Sequence, residues 1–191
     1  MTGHHLGRPH VRRALLLTLV LIAVAGPAGA QYRDAVETQI ADLEQMRDKF
    51  ISLAEAFPAE TYAWRPMEGV RSVHDVMALM SAECVLFPTM WGFESAEWAG
   101  EGFRGEMSRL SELSKDEVIE ELRRSFEHLL GLVQGLTSED RARHVDFFGR
   151  EVDLGTAIDL MANDMHEHLG QAIAYARTNE IFPPWSRREG R

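Results

Sequence analysis

Leu154-Gly-Thr-Ala-Ile-Asp-Leu-Met-Ala-Asn-Asp-Met-His-Glu-His-Leu-Gly-Gln-Ala-Ile-Ala-Tyr-Ala-Arg177 is the stretch that decides the fold. At about 100° per residue, Leu154, Ile158, Met161, Met165, Leu169, Ala172 and Ala176 fall in one stripe, the mark of a helix that buries one face. Pro183-Pro184 lies beyond it as a stop. Three further stretches read the same way. Asp34 to Phe57 keeps Val36, Ile40, Leu43, Phe50 and Phe57 on one side and ends at Pro58. Ser72-Val-His-Asp75 resembles a capping box with Asp in place of Glu, opening a helix through Phe87, where Pro88 interrupts. Ser114-Lys-Asp-Glu117 is a full capping box before Val118, Ile119, Leu122, Phe126, Leu129, Leu130 and Val133. No apolar segment of period two competes, so no strand is expected. Four helices of roughly 16–24 residues would be about 24–36 Å long. The expectation is an all-α protein, an antiparallel four-helix bundle with one or more longer crossovers. The connection from Trp91 to Leu113 is long for a bundle and predicts a short extra helix or a functional flap.

The chain of 191 residues carries 20 Lys+Arg against 30 Asp+Glu, a formal charge of −10. Residues 1–30 hold Arg8, Arg12 and Arg13 and no acidic residue, so the remainder sets 17 basic against 30 acidic groups, or −13. So acidic a surface repels nucleic-acid phosphates and anionic lipid, which excludes nucleic acid and a polybasic membrane face as partners. A single cysteine, Cys84, excludes an intramolecular disulfide and a Cys-rich zinc module. Cys84 has no facing histidine on its own helix and is read as structural.

Residues 1–30 read as an address. A basic segment ending in Arg12-Arg13 precedes the apolar run Ala14 to Ala25, and Gly26-Pro27-Ala28-Gly29-Ala30 supplies a helix breaker and small residues. That three-part pattern predicts a signal peptide cleaved before Gln31, with residues 31–191 as the mature domain. The apolar run is shorter than the roughly 20 residues a membrane span needs. The expected localisation is therefore export, periplasmic or secreted, without a stable membrane anchor after cleavage. The Arg12-Arg13 pair leaves twin-arginine export open beside the general route.

Ionisable residues on apolar faces are the candidates for chemistry. On the last helix His168 lies about 40° from the centre of the apolar stripe and Asp164 about 80°, one turn earlier. His166 falls about 120° away, so His166 and His168 are not expected to share an ion. On the second helix Glu83 sits about 40° from the face made by Val73, Val76, Met80 and Phe87. His74 is expected to point outward, and His128 to share a solvated side of the third helix with Glu121 and Arg124. A buried carboxylate and imidazole must be paired, neutralised or bound to a cation. Two readings stay open. Glu83, Asp164 and His168 hold a divalent metal (Zn, Ni, Mn or Fe) with a position left for water. Alternatively, Asp164 hydrogen-bonds His168 structurally, and Glu83 pairs with an arginine or reaches the rim. The four tryptophans, Trp64, Trp91, Trp98 and Trp185, read as core covers near helix ends. Met77, Met80, Met161 and Met165 read as packing residues. His144, in Arg141-Ala-Arg-His144, is expected at the surface. No phosphate loop, Ser-His-Asp order or HExxH is present.

Tyr62-Ala-Trp-Arg-Pro-Met-Glu-Gly-Val-Arg-Ser-Val73 resembles the Y-x-W-R-P-x-x-G-V-R-S-V segment that leads into the second helix of DinB/YfiT-like proteins. Phe148-Gly-Arg150, His166-Glu-His-Leu-Gly-Gln171, Ala174-Tyr-Ala-Arg-Thr-Asn179 and Pro183-Pro-Trp-Ser186 are similar to that superfamily's last helix and tail. The resemblance implies a four-helix bundle, often a homodimer, with a metal between helices held by three histidines. It also implies kinship with metal-dependent, thiol-cofactor transferases and isomerases, acting on small molecules. His168 matches the last of the three histidines, Asp164 replaces the one four residues before it, and Leu79 occupies the second-helix position. Glu83, one turn from Leu79, is the candidate replacement. Function then divides between a divalent-metal-binding protein or metal-dependent enzyme with an altered site and unknown substrate, and a non-catalytic binding or scaffold bundle that has lost the metal.

Overall fold

A computed structural model describes residues 28–186. The expected signal segment therefore falls almost wholly outside the described residues. By its internal contacts the chain divides into residues 1–38 and residues 39–191. In the first, the described residues form the start of helix α1, Ala28–Ala56. In the second, α1 continues, and α2 (Val73–Met90), α3 (Gly102–Ser111), α4 (Lys115–Gly135), α5 (Ser138–Ala142), strands β1 (His144–Phe147) and β2 (Arg150–Asp153), and α6 (Leu154–Thr178) follow. No helix among the described residues is long and apolar enough to cross a membrane.

The helix starts are built as the sequence foretells. Ser72 and Ser114 both form reciprocal capping boxes, with Asp75 and Glu117 reaching back to the cap N–H. Asp153 accepts from Thr156 N–H at 2.9 Å and caps α6. Pro88 does not end α2, which continues to Met90: the proline forfeits a single ladder bond, and Trp91 N–H closes the helix beyond it on Phe87 O and Pro88 O.

Within residues 39–191, Leu43, Met46, Phe50 and Leu53 of α1 share one core with Met80, Leu122, Phe126, Ile158, Met161 and Met165. Phe50 and Phe126 stack with ring centroids 6.2 Å apart. Each residue of the predicted α6 stripe is buried. Cys84 is fully buried, as expected of a structural thiol.

Three features depart from the sequence reading. Residues 144–153 form an antiparallel hairpin with Phe147 opposite Arg150, although no strand was expected. Its strands are four residues each, too short for alternation to stand out. The 91–113 connection contains α3, the short extra helix that was one of its two expected forms, but what it covers was not foreseen: a buried ionic cluster holds it. Arg109 lies 2.6 Å from Glu106 and 2.8 Å from Glu121, Trp98 Nε1 donates to Glu121 at 3.1 Å, and Arg124 also pairs with Glu121. Glu106 and Glu121 are buried, so the polar side foreseen for α4 is in fact covered by this connection. Gly100 is required there, since a Cβ would come within 2.7 Å of the Gly105 backbone. Finally, the two histidines expected in solvent are half-buried: His74 Nε2 lies 3.0 Å from Leu113 O, and His128 packs edge-on against Trp98. Burial lowers the His128 pKa.

Candidate metal centre

Glu83 comes from the middle of α2, and Asp164 and His168 come from successive turns of α6. One ligand atom from each lies within 4.8 Å of the other two. His168 Nε2 is 3.7 Å from Asp164 Oδ2 and 3.9 Å from Glu83 Oε1. Ligands about 2.0–2.2 Å from a tetrahedral zinc stand roughly 3.3–3.6 Å apart, so His168 Nε2 is within a few tenths of an ångström of ligand spacing from each carboxylate. Neither distance is a hydrogen bond. The structural alternative, Asp164 holding His168 by a hydrogen bond, is therefore not what the structure shows.

Gln171 and Tyr175 orient His168 instead. The direction of the chain is fixed from its far end. Arg71 carbonyl can only accept, so the Tyr175 hydroxyl, 3.0 Å away, must donate to it. The same hydroxyl then accepts from the Gln171 amide NH₂ at 2.8 Å, which turns Gln171 Oε1 toward His168 Nδ1 at 3.1 Å. An acceptor there requires the proton on Nδ1, so in the neutral ring it is the Nε2 lone pair that faces Glu83 and Asp164. That is the tautomer of a metal ligand, with the outer hydrogen bond such ligands carry.

The carboxylates point the same way. Glu83 is buried, and its Oε2 has no hydrogen-bond partner. Its pKa is pushed up to about 9, chiefly by burial and then by Asp164, through its charge and a side-chain hydrogen bond, with Arg71 opposing. Without a cation the pair resolves its repulsion by keeping a proton on Glu83. A divalent ion would relieve the same repulsion and fill the orphaned acceptor. Two oxygens and one nitrogen thus fit a divalent ion, and the oxygen-rich set suits Mn or Fe better than three histidines would. Asp164, 42 % exposed, leaves the site open on one side.

His166 is apart from this cluster, with Nε2 2.9 Å from Asp42 Oδ2, as its helical phase requires. Leu79 is 2 % exposed and belongs to the core. The roles of Gln171 and Tyr175 were missed in the sequence. Their spacings from His168, three and seven residues, put them on its side of the helix, which was the available signal.

The chain matches the family model of the DinB superfamily over residues 42–172. A comparison with curated proteins returns no significant match. Among solved structures, a DinB-like protein of Bacillus cereus is similar with a TM-score of 0.65 at 15% identity, covering 78% of this chain and 95% of that one. A DinB-like protein of Bacillus subtilis gives 0.60 at 18% identity, covering 80% and 99%. YfiT of Bacillus subtilis, described as a probable metal-dependent hydrolase with an unusual four-helix bundle topology, gives 0.59 at 16% identity, covering 77% and 89%. At these identities the neighbours establish the bundle fold and leave the chemistry to the residues. With two-thirds of its length inside the family model, this chain belongs to the DinB superfamily.

Proposed function

We propose that Glu83, Asp164 and His168 hold a divalent metal ion, and that the chain is an exported, metal-dependent protein acting hydrolytically on a small molecule. One observation carries the metal reading: the unpartnered, buried Oε2 of Glu83 sits on a carboxylate whose other oxygen is 3.9 Å from His168 Nε2. The description of YfiT as a probable metal-dependent hydrolase supports the reaction class. Export rests on the composition of residues 1–30.

A divalent ion bound there would supply Lewis-acid polarisation of an oxygen on substrate or water. The protein's part is to prepare its donors. Gln171, itself held by Tyr175, keeps the proton on His168 Nδ1. Burial of Glu83 strengthens any electrostatic interaction it makes. The half-exposed Asp164 leaves the approach from solvent free.

The competing reading, a scaffold bundle without metal, is favoured by Leu79, which fills the core where the resemblance implies a histidine. Metal content separates the two. The protein is purified without a polyhistidine tag, its metal is measured by mass spectrometry, and its melting temperature is compared with and without chelator. About one ion per chain, lost in His168→Ala, supports the metal reading. Absence of metal together with indifference to chelator supports the scaffold.

A further inference from the structure

Glu83 also lines a second feature, an open groove of about 380 Å³ whose other walls include Leu86, Phe87, Met90, Phe103 and Phe148. Apart from Glu83 and Thr89, whose hydroxyl donates to Leu86 O at 2.7 Å, the walls are apolar, and the volume falls in the range of small-molecule sites. Three side chains on its margin are large, apolar and exposed: Met90 at the end of α2, Phe103 on α3 and Phe148 at the hairpin tip. They come from three separate segments and meet at one place.

Phe148 carries the strongest signal. The hairpin turns through two residues, Phe148 with φ +54° and Gly149 with φ +79°. This is the primed-turn geometry that Asn or Gly normally takes, and a bulky L-residue there is strained. The ring gains little burial in return, since Phe148 is 69 % exposed. What the strained turn achieves is placement. It sets the Phe148 ring edge-on to Phe87 at 6.0 Å and to Phe147 at 4.9 Å, beside the groove. An exposed aromatic held at a conformational cost points to a ligand.

We propose that this groove binds an aromatic small molecule with one polar head, its ring against Phe87, Phe103 and Phe148 and its head toward Glu83. The inference deepens the metal reading, because Glu83 belongs to both features. A second copy of the chain is the rival occupant. It is disfavoured because a flat apolar face would bury the unpartnered Oε2 of Glu83 further without giving it a partner, whereas a hydroxyl or amine on a small ligand supplies one.

The test uses metal-free protein, so that it reads the groove independently of the ion. N-phenyl-1-naphthylamine, a neutral aromatic dye with one N–H, is titrated and its fluorescence followed. Saturable binding at one dye per chain is expected. Phe148→Gly removes the ring and relaxes the turn, so it should weaken the dye by roughly five- to tenfold while the melting temperature holds or rises. Phe103→Ser should weaken it similarly, and Trp185→Ala, a distant exposed aromatic, should leave it unchanged. 2-Naphthol should displace the dye more effectively than naphthalene. Non-saturable binding, wild-type affinity retained in Phe148→Gly and Phe103→Ser, or equal displacement by the two competitors would each overturn the proposal. So would a dimer that Phe148→Gly dissociates in the absence of dye binding. Dye binding that survives while no metal loads would remove the metal reading and leave the groove standing.

Discussion

His168 Nδ1 lies 3.1 Å from Gln171 Oε1, and this contact, three residues along one helix, sets which face of the imidazole is free to bind. Asp164, the nearer carboxylate, leaves the ring orientation to Gln171. Replacing Gln171 with Leu removes both the acceptor for His168 and the donor to Tyr175. The expected loss is about 1–2 kcal/mol of stability without metal and a 10–100-fold drop in metal affinity. Nitrogen-15 chemical shifts of His168 check the cause: the Nδ1–H tautomer should dominate in the wild type and lose its dominance in Gln171→Leu.

Glu83 predicts a pH dependence of the metal-free protein. Its folded pKa, about 9, lies above the 4.5 of an ordinary glutamate, so the native state holds a proton that the unfolded chain releases. Stability is full below pH 4.5 and declines as pH rises toward 9. Glu83→Gln cannot ionise and escapes that decline. Measured with chelator present, the melting temperature of Glu83→Gln should gain on the wild type as pH rises, by an amount equivalent to roughly 3 kcal/mol at neutral pH. A gap that does not change with pH would show Glu83 to be ionised in the native state.

The cluster around Arg109 gives the opposite slope. Burial raises the Glu121 pKa, but hydrogen bonds and charge from Arg109 and Arg124 outweigh it and hold the group below 4.5. That stability is present above pH 4.5 and lost as pH falls through the depressed value. Arg109→Met leaves the fully buried Glu106 without its cationic partner and Glu121 with only Arg124 and Trp98, and should destabilise by about 3–5 kcal/mol. Arg124→Met should cost less, since Arg124 is 45% exposed and a second partner remains. Denaturant unfolding at neutral pH measures both, and equal losses would contradict the central place given to Arg109.

The four long helices were legible because their signals are local. Ser72 and Ser114 announce their helices within four residues, and the α6 stripe repeats across its whole length. Glu83, Asp164 and His168 were also legible, since helical phase turns each toward the core regardless of what it meets there. The hairpin was not, because His144–Phe147 is too short for alternation to register and Phe148 breaks the usual turn chemistry. Nor was the burial of Glu121, whose cover arrives from Trp98 and Arg109, a connection with no periodicity to place it. The Gln171–Tyr175 chain was hidden for another reason. Its direction depends on the Arg71 carbonyl, more than a hundred positions away in the sequence.

Calorimetric titration of Mn²⁺ or Zn²⁺ into the chelator-stripped protein near neutral pH, repeated in buffers of different ionisation enthalpy, tests the central claim most directly. One ion per chain is expected, with release of about one proton as Glu83 gives up its hydrogen, and loss of binding in Glu83→Gln and His168→Ala. Undetectable binding, or an affinity that Glu83→Gln leaves intact, would contradict it.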